Sequence, residues 1–145
     1  MSFKLPRSSE SLVRSLTPVL IACLAAIPAA TSSASTGGTL SVITTSPLRA
    51  VLDASTNGSI SVTFDRPVDP DSIDVTSFHA FSRGAGSLRG EFLFSADGHT
   101  VTLDPIRNAS PGEPVTVTLA NSIRGTDRST LRSAGYQFRF WTAAA

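Results

Sequence analysis

Four segments of this chain alternate polar and apolar residues without a slip: residues 59–64 read SISVTF, 100–103 TVTL, 116–119 TVTL and 136–140 YQFRF. Successive side chains of an extended backbone point to opposite faces, so each segment predicts a strand with one wet and one buried face. The buried sets would be Ile60, Val62 and Phe64 in the first segment and Tyr136, Phe138 and Phe140 in the last. From residue 39 onward the helical period of 3.6 is absent. Strands with a single apolar face need a second apolar layer, so the pattern predicts two facing sheets with solvent outside.

Weaker signals supply the remaining strands. Residues 39–44 read as a first edge strand, 78–82 as a middle strand, and 87–95 as a longer one bearing Leu88, Phe92 and Phe94. Gly84-Ala85-Gly86 and Ala96-Asp97-Gly98 suit hairpin connections, because glycine takes the positive φ that tight turns require. Pro67, Pro70, Pro105, Pro111 and Pro114 fall between runs or at their ends, where a missing N–H costs no ladder bond. About seven strands over residues 39–143 predict an all-β domain, an immunoglobulin-like antiparallel β-sandwich, with no room for a second domain.

The first thirty-odd residues are a different object. Lys4, Arg7 and Arg14 precede an uncharged apolar run at residues 16–30, followed by TSSASTGG. Cationic, apolar and small-residue zones in that order predict an N-terminal signal peptide over residues 1–34, a new start at Ser35 and a flexible leader at 35–38. The apolar run holds Pro18 and Pro28 and is shorter than the roughly 20 residues of a spanning helix, so no permanent transmembrane helix is expected. Leu20-Ile21-Ala22-Cys23 also fits a lipobox, which would make Cys23 a lipidation site and the anchor of an exported chain. Apart from this segment the chain has no Lys and no Cys, so the expected exported domain must hold itself by its core, without disulfides.

The residues from 45 onward also carry a family pattern. Thr45-Ser46-Pro47 comes first, then residues 60–64 followed by Pro67-Val68-Asp69, then Ser72-Ile73 and Phe78. The order continues with DGHTVTLDP at 97–105, Pro111-Gly112, residues 115–119 and a closing Phe138-Arg139-Phe140-Trp141-Thr142. This series resembles the SbsA-type bacterial Ig-like domains of surface-layer and other exported bacterial proteins. The resemblance implies a non-enzymatic structural or adhesion module, secreted or held at the cell surface, with other extracellular proteins or glycans as partners. One departure is visible. Such domains carry an Asp followed by Gly before the Leu that leads into the last strand, whereas Asp127-Arg128-Ser129-Thr130-Leu131 has no glycine. Gly125 would then supply the unusual backbone angle.

Candidate chemistry is sparse. A formal net charge of +1 gives no basic field, and the arginines do not interleave with stacking aromatics, which excludes nucleic-acid capture. His79 and His99 fall at outward positions of predicted strands and in no catalytic or zinc spacing, so no enzyme is expected. Asp65, Asp69, Asp71 and Asp74 crowd a loop stiffened by Pro67 and Pro70. Calcium takes six to eight oxygens at about 2.4 Å, and such a loop could supply several, although the spacing is not that of an EF-hand. The alternative is turn chemistry, with Asp65 and Asp69 as caps and Asp71 or Ser72 starting a helical turn. No cofactor is expected beyond that calcium. Trp141 and Phe81 fall opposite the core parity of their strands, where an exposed aromatic can bind a sugar ring or a protein partner.

Overall fold

The computed structural model describes residues 37–145; the expected signal peptide, Cys23 and the cleavage point at Ser35 lie outside the described residues. The chain runs through β1 (Thr39–Leu40), β2 (Val42–Ser46), β3 (Ile60–Phe64), a single 3-10 turn at Pro70–Ser72, β4 (Phe78–Ser82) and β5 (Gly86–Leu88). It continues through β6 (Gly90–Phe94), β7 (Thr100–Pro105), β8 (Pro114–Leu119), β9 (Thr130–Leu131) and β10 (Tyr136–Trp141). One four-stranded sheet has the order β2-β3-β7-β6 and the other β10-β8-β4-β5, both antiparallel throughout. A short parallel ladder joins β1 to β9. The all-β Ig-like sandwich expected from the alternation is the fold observed.

The alternation translates directly into the core. Ile60, Val62 and Phe64 of β3 and Val101 and Leu103 of β7 are at most 1% exposed, as are Val115, Val117 and Leu119 of β8. Phe138 and Phe140 of β10 and Phe78 and Ala80 of β4 complete the apolar cluster. Fully burying one such side chain contributes about 1.5–3 kcal/mol, which is how a domain of this length stands without a disulfide. The sheets touch through aromatics too: Phe78 of β4 and Phe92 of β6 have ring centroids 5.5 Å apart. On the wet face of β3, Ser61 and Thr63 pair with Thr102 and Thr100 of β7, hydroxyl to hydroxyl at 2.8 and 3.0 Å.

Three elements differ from the sequence expectation. The long strand at 87–95 is two strands in different sheets, broken at Arg89. Gly90 explains the crossing: it sits directly on the Asp104 carbonyl of β7, where a Cβ would collide with backbone. Phe94, at the far end, is 37% exposed and lies outside the core cluster. The first edge strand is interrupted at Ser41, so that β1 pairs with β9 and β2 with β3. Gly37 and Gly38, the last residues of the expected leader, are engaged with the segment before β9: Gly37 abuts the Arg128 carbonyl, and the Gly38 carbonyl accepts the Thr130 N–H at 3.2 Å. These two divisions, together with the short β9 that the alternation did not mark, raise the strand count from about seven to ten.

The segment after β2 then changes sheets. The N–H of Ala50 donates to the Arg139 carbonyl (2.8 Å), Trp141 N–H to Val51 (2.8 Å), Ala54 N–H to Trp141 (3.0 Å) and Ala143 N–H to Ala54 (2.8 Å). Residues 50–54 therefore run parallel to β10 and cover the edge it would otherwise present. Among the described residues, no helix is long and apolar enough to cross a membrane.

Candidate functional site

The outward face of the β10-β8-β4-β5 sheet carries both aromatics singled out in the sequence. Register places Arg139 of β10, Thr116 of β8 and Phe81 of β4 in one row, and Gln137, Thr118 and His79 in the next. Arg139 Nε donates to Thr116 Oγ1 and Gln137 Nε2 to Thr118 Oγ1, each at 3.2 Å, so both long side chains are laid across the sheet. Where the 48–54 segment joins this sheet, Arg49, Ala50, Thr116, Gln137, Arg139 and Trp141 line an open cleft of about 340 Å³. Trp141 is half-buried in its wall. Phe81 is 53% exposed on the same face, two strands from β10 and outside the cleft lining.

Three of the four aspartates of the acidic loop, Asp65, Asp69 and Asp74, have their carboxylates bound into local structure, while Asp71 takes part through its backbone N–H. Asp65 Oδ1 accepts the Ser41 N–H at 2.7 Å, tying β3 to the gap between β1 and β2. Asp69 caps the 3-10 turn by accepting the Asp71 N–H at 3.2 Å, so that turn begins at Pro70, ahead of both starts expected from sequence, Asp71 and Ser72. Asp74 Oδ1 accepts from the amide and hydroxyl of Thr76 (2.8 and 2.7 Å) and from the Ser77 amide (2.7 Å). Those bonds, the Thr76 hydroxyl foremost, stabilise the carboxylate and hold the Asp74 pKa down at about 2. Among the described residues, no group of three or more His, Cys, Asp or Glu gathers in a metal-holding arrangement. Asp71 and Asp74 do share one open polar depression with Arg124, but their neighbours there are hydroxyls and amides.

Two further polar clusters tie loops to strands, the first without a sequence signal and the second at the turn that departs from the family pattern. Glu113 accepts from the buried Ser82 hydroxyl, the Gly84 amide and the Ser110 amide, while its own N–H and carbonyl bond to Thr142. It joins the β4–β5 hairpin, the loop before β8 and the chain after β10. The second cluster is the turn before β9. Asp127 accepts the Ser129 N–H at 2.9 Å and the Arg66 Nη1 at 2.6 Å, and Ser129 and Arg66 together hold its carboxyl below the ordinary range. Arg128, not Gly125, takes the left-handed conformation there, with φ 66°. Gly125 is instead required for space, since a Cβ on it would run into the Ser129 and Asp127 side chains.

A side chain at that angle costs about 1 kcal/mol relative to glycine. Arg128→Gly is therefore expected to raise stability by up to about 0.6 kcal/mol in urea unfolding, after allowance of about 0.4–1 kcal/mol for the freer unfolded chain. A destabilised Arg128→Gly would show that the arginine side chain, not the backbone, holds the turn.

The histidines have ordinary places. His79 is half-buried opposite Thr118. His99 lies in the turn before β7 rather than within a strand, its Nδ1 3.1 Å from the Phe64 carbonyl.

With this geometry in place, comparison with known proteins yields one family. A model described as a bacterial Ig-like domain matches residues 37–142. Comparison with curated protein sequences gave no match. Among solved structures, the S-layer protein SbsC is 22% identical with a TM-score of 0.54, over 72% of this chain and 14% of that one. The α-2-macroglobulin of E. coli is 20% identical at 0.57, over 75% of this chain and 6% of that one. CopC from Methylosinus trichosporium OB3b is 13% identical at 0.55, over 72% of this chain and 94% of that one. At these identities the likeness is one of fold. This chain spans only a small part of the first two proteins.

Proposed function

The chain belongs to the bacterial Ig-like domain family, and from that premise we propose that it works as a non-catalytic structural module of an exported bacterial protein, of the SbsA type, secreted or held at the cell surface. The carrying observation is the family match over residues 37–142, the whole of the sandwich. The structure is consistent with such a role: the polar clusters at Asp74, Glu113 and Asp127 bind turns to strands, and the two sheets enclose an apolar core. The fold neighbours include an S-layer protein and a macroglobulin, large chains in which a domain of this kind is one part of many. Stiffness and the presentation of its faces to neighbouring proteins or glycans would be its work.

Export is the testable half of this reading. The full 145-residue chain, produced in a bacterium with a C-terminal tag, is expected in the exported fraction with an intact mass that begins at Ser35. A start at Cys23 carrying acyl chains would move the protein to a lipid anchor. Retention of the uncleaved chain in the cytoplasm would overturn the proposal.

A further inference from the structure

We propose that the cleft between the 48–54 segment and β10 is a binding site for a carboxylated saccharide, one uronic acid residue of which would lie against Trp141 with its carboxylate between Arg49 and Arg139. This goes beyond a structural role and stands whether or not the chain is exported.

Charge is the first argument. Two of the side chains lining the cleft are arginines and none is acidic. Among the described residues neither arginine is within salt-bridge distance of a carboxylate, whereas Arg66 and Arg124 each are. Arg139 spends its Nε on Thr116, which fixes the guanidinium over the sheet and leaves the Nη donors for a ligand. A guanidinium held in place loses less freedom on capturing a carboxylate.

The other groups fit a sugar. Trp141 offers an apolar ring to the C–H face of a pyranose. Gln137 gives one amide hydrogen to Thr118 and keeps a second donor and its carbonyl, and Thr116, as an acceptor, keeps its hydroxyl proton. The volume of about 340 Å³ is at the small end of small-molecule sites. Its open form suits one unit of a longer polymer.

An acidic peptide is the competing ligand, and the backbone argues against it. Peptides commonly dock by adding a strand to a sheet edge. Here that edge is occupied: the carbonyls of Arg139 and Trp141 and the N–H of Trp141 already bond to residues 50–54. Ala50 holds a left-handed φ of 65° to make its bond, which sets Arg49 beside β10. Recognition in the cleft must therefore run through side chains.

The chain contains one Trp, so its fluorescence reports this cleft alone. The purified protein would be titrated with an oligogalacturonide, with the uncharged oligosaccharide of the same length, and with an oligoglutamate. The expected result is a saturable change in Trp141 emission with the oligogalacturonide only, weakened by added salt. Arg139→Gln and Arg49→Gln should each weaken it about tenfold, while Arg107→Gln, on a remote loop, leaves it unchanged. Both cleft arginines are exposed, and unchanged melting curves would confirm that these variants fold. No response, an equal response to the uncharged sugar, or a stronger response to oligoglutamate would each overturn the proposal.

Discussion

Phe64→Ala is expected to lower stability by about 3–5 kcal/mol, the cost of removing a fully enclosed phenylalanine and leaving a cavity that the neighbours fill only in part. Phe64 is 0% exposed at the end of β3. Its backbone accepts from or donates to His99 at both polar atoms: the N–H bonds to the His99 carbonyl at 2.8 Å, and the carbonyl lies 3.1 Å from His99 Nδ1. The side chain is therefore held inside by a backbone that cannot rotate away to close the void. Against a typical total of about 5–15 kcal/mol, that loss brings the domain near its unfolding threshold. Phe81→Ala is the matched control, being the same chemical change on a side chain 53% exposed on the outer face of β4. It is expected to cost under about 1 kcal/mol. Urea unfolding gives both values from the shift in midpoint, with an unchanged slope as the sign that the folded and unfolded states have kept their extent. Because a one-residue slip of register would exchange inner and outer faces, equal losses for the two variants would refute the face assignment itself.

The same parity logic marks how far this fold was legible in its residues. Where a strand lies within one sheet, alternation places every side chain: Ile60, Val62 and Phe64 go in, and Ser61 and Thr63 go out. It also sent Phe81 outward and put Trp141 on the face opposite Phe140. Parity is blind to a change of sheet. Leu88 and Phe92 both turn toward the apolar cluster and are separated by an even number of residues, so the crossing at Arg89 leaves the pattern unbroken. Only Gly90 hints at it, and a lone glycine in a strand has several readings. The cleft was half visible for a related reason. Trp141 could be picked out as an outward aromatic, but Arg49 reaches it through a sheet change fixed by four backbone hydrogen bonds, which no side-chain pattern encodes. The acidic loop was visible as a cluster and ambiguous as chemistry, since a carboxylate that caps a turn and one that awaits a cation look alike in sequence. Glu113 was invisible altogether, because its partners Ser82, Gly84 and Ser110 are common residues that tertiary structure alone brings together.

Glu113→Ala should accordingly be costly for a half-exposed surface acid, at about 2–3 kcal/mol. Three donors converge on its carboxylate, and one of them, the Ser82 hydroxyl, is 0% exposed. Once the acid is gone, Ser82 keeps only the 3.3 Å bond it accepts from the Ala85 N–H, and its own proton is left without an acceptor in the interior. Stranding a buried donor costs about 1–3 kcal/mol, whereas the Gly84 and Ser110 amides can turn to water and add less. Glu113→Gln, which keeps the shape and one acceptor oxygen, should cost less than the alanine change, and it separates charge from geometry. The Ser82 hydroxyl above all, with the Ser110 and Gly84 amides, lowers the Glu113 pKa in the folded protein. A carboxylate with a depressed folded pKa stabilises the fold fully above its unfolded pKa, about 4.5, and loses that contribution as pH falls through the folded value. The stability gap between the natural protein and Glu113→Gln is thus expected to be full at pH 7 and to narrow as the pH drops below about 4.5. Asp74, Asp97 and Asp127, also depressed, titrate in both proteins and cancel in the difference. A gap that stays constant from pH 7 to pH 3 in urea unfolding would mean that Glu113 acts through shape alone and that its charge contributes nothing to the junction.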